Sequence, residues 1–409
     1  MIRRSVGFVK QFEKNLWILS TGWFVSALGF AISIPFIAIY FYATLGLSMS
    51  EIGVFFGAMA LVRSVFQAIG GEVSDRIERH ILLIYSQIFR AGAFLTLAIS
   101  IYKDWGFWPV AIALLVNSIF GAIFQPVANA MVSDILPVDK RLDGYAITRS
   151  AGNLGWAVGP AIGGFLAGYS YGLLFLISSG ITLLSGLVFL IFLKPPRTVI
   201  VQDRFKFSDL LAIKDDPYLA RHSILIFALY LVVAQLIAPF SVYAVEMVKI
   251  TEHQLGILYT LNGLMVVLLQ IPVTRLLAGY RLTTQLAMGA FVYAVGYGMV
   301  GVLAGFEFFV LAMIVVTMGE IFMSPPSLTL TSRLAPEGRM GRYMGIFGFF
   351  VAAGWSFGPL YGGVILDHFG GNAPVAWALI SSLAILSGVG YMLFRRILPE
   401  RFNIKENAT

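Results

Sequence analysis

A chain of 409 residues that is 58% hydrophobic and only 12% charged lies outside the range of water-soluble proteins, in which about a quarter of residues carry charge. Its net charge of +7 is spread over many short polar segments and gathers on no single face, which argues against nucleic acid as a partner. The absence of Cys excludes disulfides and thiolate metal sites.

Arg3, Arg4, Lys10 and Lys14 precede the first apolar run, which lacks a small-residue cleavage site, so a retained first helix is expected and no signal peptide. Apolar runs fall at about 16–42, 51–71, 80–102, 107–132, 144–168, 171–193, 222–248, 254–274, 283–305, 307–332, 342–367 and 374–395. Each is long enough to cross a bilayer as a helix, so the chain reads as an all-α membrane protein with twelve transmembrane helices and no separate soluble domain. With the N-terminus in the cytoplasm, 23 Lys and Arg fall on that side of the membrane against two, Lys103 and Lys249, on the other. The excess of positive charge inside then places both termini in the cytoplasm of a multi-pass protein of the cell membrane. The longest polar segment, 194–221, is expected to be a cytoplasmic linker between a bundle at 1–193 and another at 222–409.

The chain carries a duplication. Gly155, Gly159, Pro160, Gly163 and Gly164 return 199 residues later as Gly354, Gly358, Pro359, Gly362 and Gly363, and in that register Pro126, Ser133, Pro137 and Ile147 also find identical partners. Further upstream, Pro35-Phe36 matches Pro239-Phe240, and Gly53 and Gln67 match Gly256 and Gln270. Two copies in the same orientation predict two pseudo-symmetric six-helix bundles. Glycines four apart clear one face of a helix for a neighbouring backbone, so both runs are expected to pack helices.

Between the second and third runs lies Gly71-Glu72-Val73-Ser74-Asp75-Arg76-Ile77-Glu78-Arg79-His80. This turn resembles the loop signature of the major facilitator superfamily, G-x-L-a-D-R-x-G-R-[RK], with Gly71, Asp75, Arg76 and Arg79 in place and Glu78 where the second glycine belongs. Asp134-Ile135-Leu136-Pro137 followed by Arg141 is similar to the next inner loop of that family. The resemblance implies a transporter working by alternating access, with helices 1, 4, 7 and 10 around a central cavity. It also implies a gating latch: Asp75 near the start of helix 11, and Arg76 or Arg79 on Asp134, favouring the outward-open state.

The glycine run in helix 5 resembles the antiporter motif of twelve-helix drug/proton exporters, and Leu28-Gly29 with Pro35 is similar to their first-helix motif. Those exporters carry an arginine in helix 4 four residues before a glycine; here Gly121 is present, but Asn117 holds the arginine's place. The expectation is proton-coupled efflux of small hydrophobic or amphipathic compounds, with uptake of a polar metabolite by a symporter or facilitator, or lipid flipping, as alternatives. The partners expected are a small-molecule substrate, protons and membrane lipids, with no cofactor and no metal. A sensor would ordinarily need an output domain, and nothing in the sequence suggests an enzyme: there is no nucleotide loop, ligand cluster or nucleophile-base set, and all four His fall near span ends.

Of the 21 acids only Glu320 lies deep in a span, where a charge costs roughly 2.5–3.5 kcal/mol on insertion scales. Thr317, Glu320, Ser324 and Ser327 are spaced to form one polar stripe on helix 10; Asn117, Gly121, Gln125 and Asn129 form another on helix 4. Glu320 is expected to carry the coupling proton or to pair with a cationic substrate. Arg63, Arg90 and Arg149, with Asn153 one turn beyond Arg149, are further candidates, able to hold an anionic or polar substrate group or to serve as structural ions. Trp23, Tyr40, Tyr230, Gln235, Tyr243, Asn262 and Trp355 are either cavity-lining or packing residues.

Overall fold

The computed structural model describes residues 12–403 apart from 75–76, 138–139, 195–215 and 337–338. Among the described residues there are twelve long helices and no strand. The first six are α1 (Lys14–Ile39), α2 (Met49–Ser74), α3 (Arg79–Tyr102), α4 (Phe107–Ile135), α5 (Arg141–Ala167) and α6 (Tyr171–Phe192). The second six are α7 (Pro217–Val233), α8 (Glu252–Leu277), α9 (Leu282–Val302), α10 (Phe306–Leu334), α11 (Met340–Phe369) and α12 (Ala373–Ile397). Eleven are long and apolar enough to cross a membrane. The remaining one, α5, has 27 residues but falls short in hydropathy, because Asp143, Arg149, Ser150 and Asn153 dilute its apolar face.

The seventh apolar run, expected as one helix over 222–248, is broken. Proline has no N–H to give the ladder and crowds the carbonyl four residues before it, and Pro239 stands where α7 would continue. The chain passes through a 3₁₀ turn, Ala234–Leu236, and a short α turn, Pro239–Val242, before a π turn at Tyr243–Met247. A matching π turn, Tyr40–Thr44, ends the first run, although α1 continues unbroken through Pro35.

The start of α2 is a capping box: the Ser48 N–H donates to Glu51 at 2.8 Å while the Glu51 N–H donates to the Ser48 hydroxyl at 3.2 Å. Thr251 and Gln254 repeat it at α8, at 2.9 and 3.2 Å. Positive φ recurs as well, at Gly46 and Lys249 before these helices and at Gly106 and Gly305 before α4 and α10. The duplication is thus written in the turns and caps as well as in the glycine runs. At the far side of the linker, Asp216 caps α7 by accepting from Tyr218 and Leu219 at 2.9 and 3.0 Å, with Pro217 at the first helical position.

The helices form two compact units. One comprises Met1–Tyr40, Leu61–Gln202 and Thr251–Gly263; the other comprises Phe41–Ala60, Asp203–Ile250 and Leu264–Thr409. The expected boundary at the linker therefore marks the bulk of each unit, while the first part of α2 packs with the second unit and the first part of α8 with the first. In the first unit α1 packs on α5 and α6, and α3 on α4 and α6; in the second, α7 packs on α11 and α12, and α9 on α10 and α12. The core of the first unit includes Leu16, Leu19, Leu83, Val127, Met131 and Phe189.

Both glycine runs are packing seams. A β-carbon on Gly155, Gly159 or Gly163 would press into α1 at Leu28, Ala31 or Ile32, and one on Gly164 would strike the Glu252 carbonyl of α8. In the copy, Gly354, Gly358 and Gly362 face Tyr230, Ala234 and Gln235, and Gly363 faces the Met49 carbonyl of α2. Three glycines thus admit one partner helix, and the adjacent fourth, about 100° round the helix, admits a second. Pro160 and Pro359 lie inside these helices.

Candidate functional site

Each unit holds polar side chains buried among its helices. In the second unit Glu320 occupies the midpoint of the 29-residue α10 and is half-buried. Its charge acts on the hydroxyls of Tyr230 from α7 and Tyr293 from α9. Tyr293 is buried, and its hydroxyl has no hydrogen-bond partner among the described residues. Behind it runs an aromatic column: Tyr293 stacks on Tyr297 at 6.1 Å, and Tyr297 on Trp377 at 5.9 Å.

The stripe around Glu320 is divided by burial. Thr317 and Ser327 are buried and donate to backbone carbonyls of their own helix, Met313 and Ser324, whereas Ser324 is half-buried like Glu320. Just beyond Glu320, Pro325 has no N–H, so the Ile321 carbonyl lacks its usual helical donor. Gln270 of α8 supplies one at 3.2 Å. The repeat had singled out Gln270 without indicating this role.

His222 was missed as a polar anchor. It lies one turn inside α7, fully buried, with Nε2 3.1 Å from the Thr331 hydroxyl and Nδ1 3.0 Å from the Tyr391 hydroxyl, and it stacks on Phe347 at 5.7 Å. It ties together α7, α10, α11 and α12. Its position near a span end was legible, but its partners come from distant helices.

In the first unit Arg90 of α3 is buried. One terminal nitrogen donates to Ser26 of α1 at 2.7 Å and to Gln87 at 3.4 Å, and the guanidinium lies 5.5 Å from the Phe30 ring. Asn117 of α4 donates to the Arg90 carbonyl at 3.3 Å. A β-carbon on Gly121 would lie 3.5 Å from Arg90 Nε. The guanidinium beside Gly121 therefore arrives from α3, while Asn117 occupies the α4 position where the resembling exporters place an arginine. Arg63 of α2 is half-buried, and its charge acts on Arg90.

Other candidates separate from these clusters. Gln125, Arg149 and Asn153 are exposed on the first unit, in contrast to buried Asn117. A cavity of about 500 Å³ lies between α1 and α5, lined among others by Trp17, Phe24, Asp143 and Ser150. Gln235 is a packing residue, donating to the Leu231 and Gly358 carbonyls at 2.6 and 2.8 Å. Among the described residues no three His, Asp or Glu converge on a point that could hold a metal.

Of the expected latch, Asp75 and Arg76 lie outside the described residues, and Gly71 falls within α2. Arg79, at the start of α3, forms a buried ion pair with Asp134 at the end of α4. The expected contact of Arg79 with Asp134 is thus present, and both residues belong to the first unit. Arg141 closes the same corner by donating to the Leu136 and Ser133 carbonyls at 3.2 and 3.0 Å, satisfying the end of α4.

Twelve long helices, eleven of them long and apolar enough to cross a membrane, packed in the same order in two units, define a multi-pass membrane protein. The sequence model of the Major Facilitator Superfamily matches residues 19–247 and 223–408, and the chain belongs to that family. It is 29% identical to an uncharacterized MFS-type transporter of Bacillus subtilis (strain 168), over 90% of this chain and 92% of the relative. It is 23% identical to a Na(+), Li(+), K(+)/H(+) antiporter of Planococcus maritimus, covering 96% and 98% of the two chains. It is also 23% identical to the quinolone resistance protein NorA of Staphylococcus aureus (strain MSSA476), covering 96% and 99%. The crystal structure of a peptide transporter POT in complex with sulfate shares the fold, with a TM-score of 0.79 at 16% identity over 96% of each chain.

Proposed function

We propose that this transporter exports small hydrophobic or amphipathic compounds in exchange for protons, with Glu320 as the proton carrier. The observation that carries the reading is the position of Glu320 at the middle of a membrane-crossing helix, within electrostatic reach of two tyrosine hydroxyls. A carboxyl held there at a cost of a few kcal/mol is seldom retained without a partner or a function. Relatives bearing the names of a cation/H(+) antiporter and a quinolone resistance protein support exchange and export. Both ends of the chain lie in the cytoplasm on this reading, following the distribution of Lys and Arg.

The test is a compound panel applied to proteoliposomes that hold a pH-sensitive dye. Substrate-evoked proton counterflow is expected, and Glu320→Gln should abolish it while the protein stays folded and monodisperse. A variant that keeps wild-type coupling removes Glu320 from the mechanism. The buried polar groups Arg90, Gln87 and Asn117 favour a second reading, uptake of a polar metabolite. Proton and substrate moving in the same direction would select it.

A further inference from the structure

The arginine cluster of the first unit has a chemical gap. Arg90 is 4% exposed, and among the described residues no carboxylate pairs with it; its side-chain partners are the neutral Ser26, Gln87 and the face of Phe30. Arg63 brings a second positive charge to bear on the same guanidinium. Removing a cation from water is costly unless an anion and a full set of acceptors compensate it. Acceptors are what the cluster lacks: Arg90 Nε and Gln87 Nε2 are both buried without a hydrogen-bond partner.

Two orphaned N–H donors and an excess of positive charge call for an anionic acceptor. The surroundings also indicate its size and character. Gly121 places no side chain against Arg90 Nε, where a β-carbon would lie 3.5 Å away, and Phe30, edge-on to Trp156 at 5.7 Å, gives an aromatic flank. A planar carboxylate suits the fork of a guanidinium, and an apolar ring suits the flank.

We propose that Arg90 and Arg63 recognise the carboxylate of an aromatic monoanion, with Gln87 Nε2 as an additional donor. This rests on the transporter reading above and names a substrate class for it.

The probe is benzoate, with benzamide as its uncharged counterpart, titrated into the full chain in nanodiscs while tryptophan fluorescence is followed. Benzoate should give a saturable response that benzamide does not, and Arg90→Gln and Arg63→Gln should each weaken it about tenfold or more. Arg63, only half-buried, keeps the test open if Arg90→Gln fails to fold. Benzoate binding is read in nanodiscs without a proton gradient and proton exchange in proteoliposomes, so the two proposals fail separately. Equal responses to benzamide, wild-type affinity in Arg63→Gln, or no saturable response to benzoate would overturn the assignment. So would a response that chloride alone reproduces, which would make the cluster an inorganic-anion site only.

Discussion

Lys249 holds a backbone φ of +64°, a region that an L-residue enters at a cost of roughly 1–2 kcal/mol. Its repeat counterpart, Gly46, holds +67° without that cost. Lys249→Gly is therefore expected to stabilise the protein by about 1 kcal/mol, the strain relieved being partly offset by the greater freedom of glycine when unfolded. A denaturation midpoint in detergent checks this; a lower midpoint would mean that the exposed Lys249–Glu246 pair at 3.4 Å contributes more than such pairs usually do. At this scale the sequence was informative where chemistry is local. Glu320 stood out as an acid inside an apolar run, whereas the pairing of Arg79 with Asp134 was implied by the resemblance of their loops to the family signature. The Gln270 bond to Ile321 and the His222 network were not, since each depends on which distant helix lies alongside.

Helix α11 shows how a run of small residues is used. Asp367, near its end, accepts from the Met49 and Ser50 N–H groups at 2.9 and 2.8 Å and from the Ser50 hydroxyl, while Gly363, one turn earlier, lets the Met49 carbonyl approach. The same residue type has opposite value elsewhere on the helix: a β-carbon on Gly348 would meet nothing within 4 Å. Gly363→Ala should destabilise by about 1–3 kcal/mol through overpacking, whereas Gly348→Ala should be neutral or stabilising by up to about 1 kcal/mol, as alanine favours helix. Thermal unfolding of the two variants side by side measures the difference, and equal behaviour would show that the α2 seam can shift to make room. The periodicity of the glycines made a seam legible in the sequence. That the run serves two partner helices, one of them from the other copy, was not legible, because spacing states which face is clear and not what fills it.

For the whole molecule, the distribution of Lys and Arg gives an orientation that the chain itself makes easy to test, since it contains no Cys. Lys103→Cys, in the turn after α3, should react with a membrane-impermeant maleimide added outside intact cells. Arg281→Cys, in the turn before α9, should react only after the membrane is opened. The reverse pattern would invert the protein and, with it, the direction assigned to transport. The repeat, read as two six-helix bundles, reappears as the same order of helix packing in each unit, with capping boxes, π turns and positive-φ turns at equivalent places. The first parts of α2 and α8 nonetheless pack with the opposite unit, which no linear boundary can express.

The sequence alone pointed to the family through the resemblance of its inner loops to a known signature, and it determined the membrane setting, the number of long helices and the duplication, because hydropathy, helix length and glycine spacing are properties of consecutive residues. Only the tertiary structure decided that α7 breaks ahead of Pro239 and that the guanidinium beside Gly121 comes from α3. Those outcomes depend on which side chains fill the space between neighbouring helices, and residues far apart in the chain settle that together.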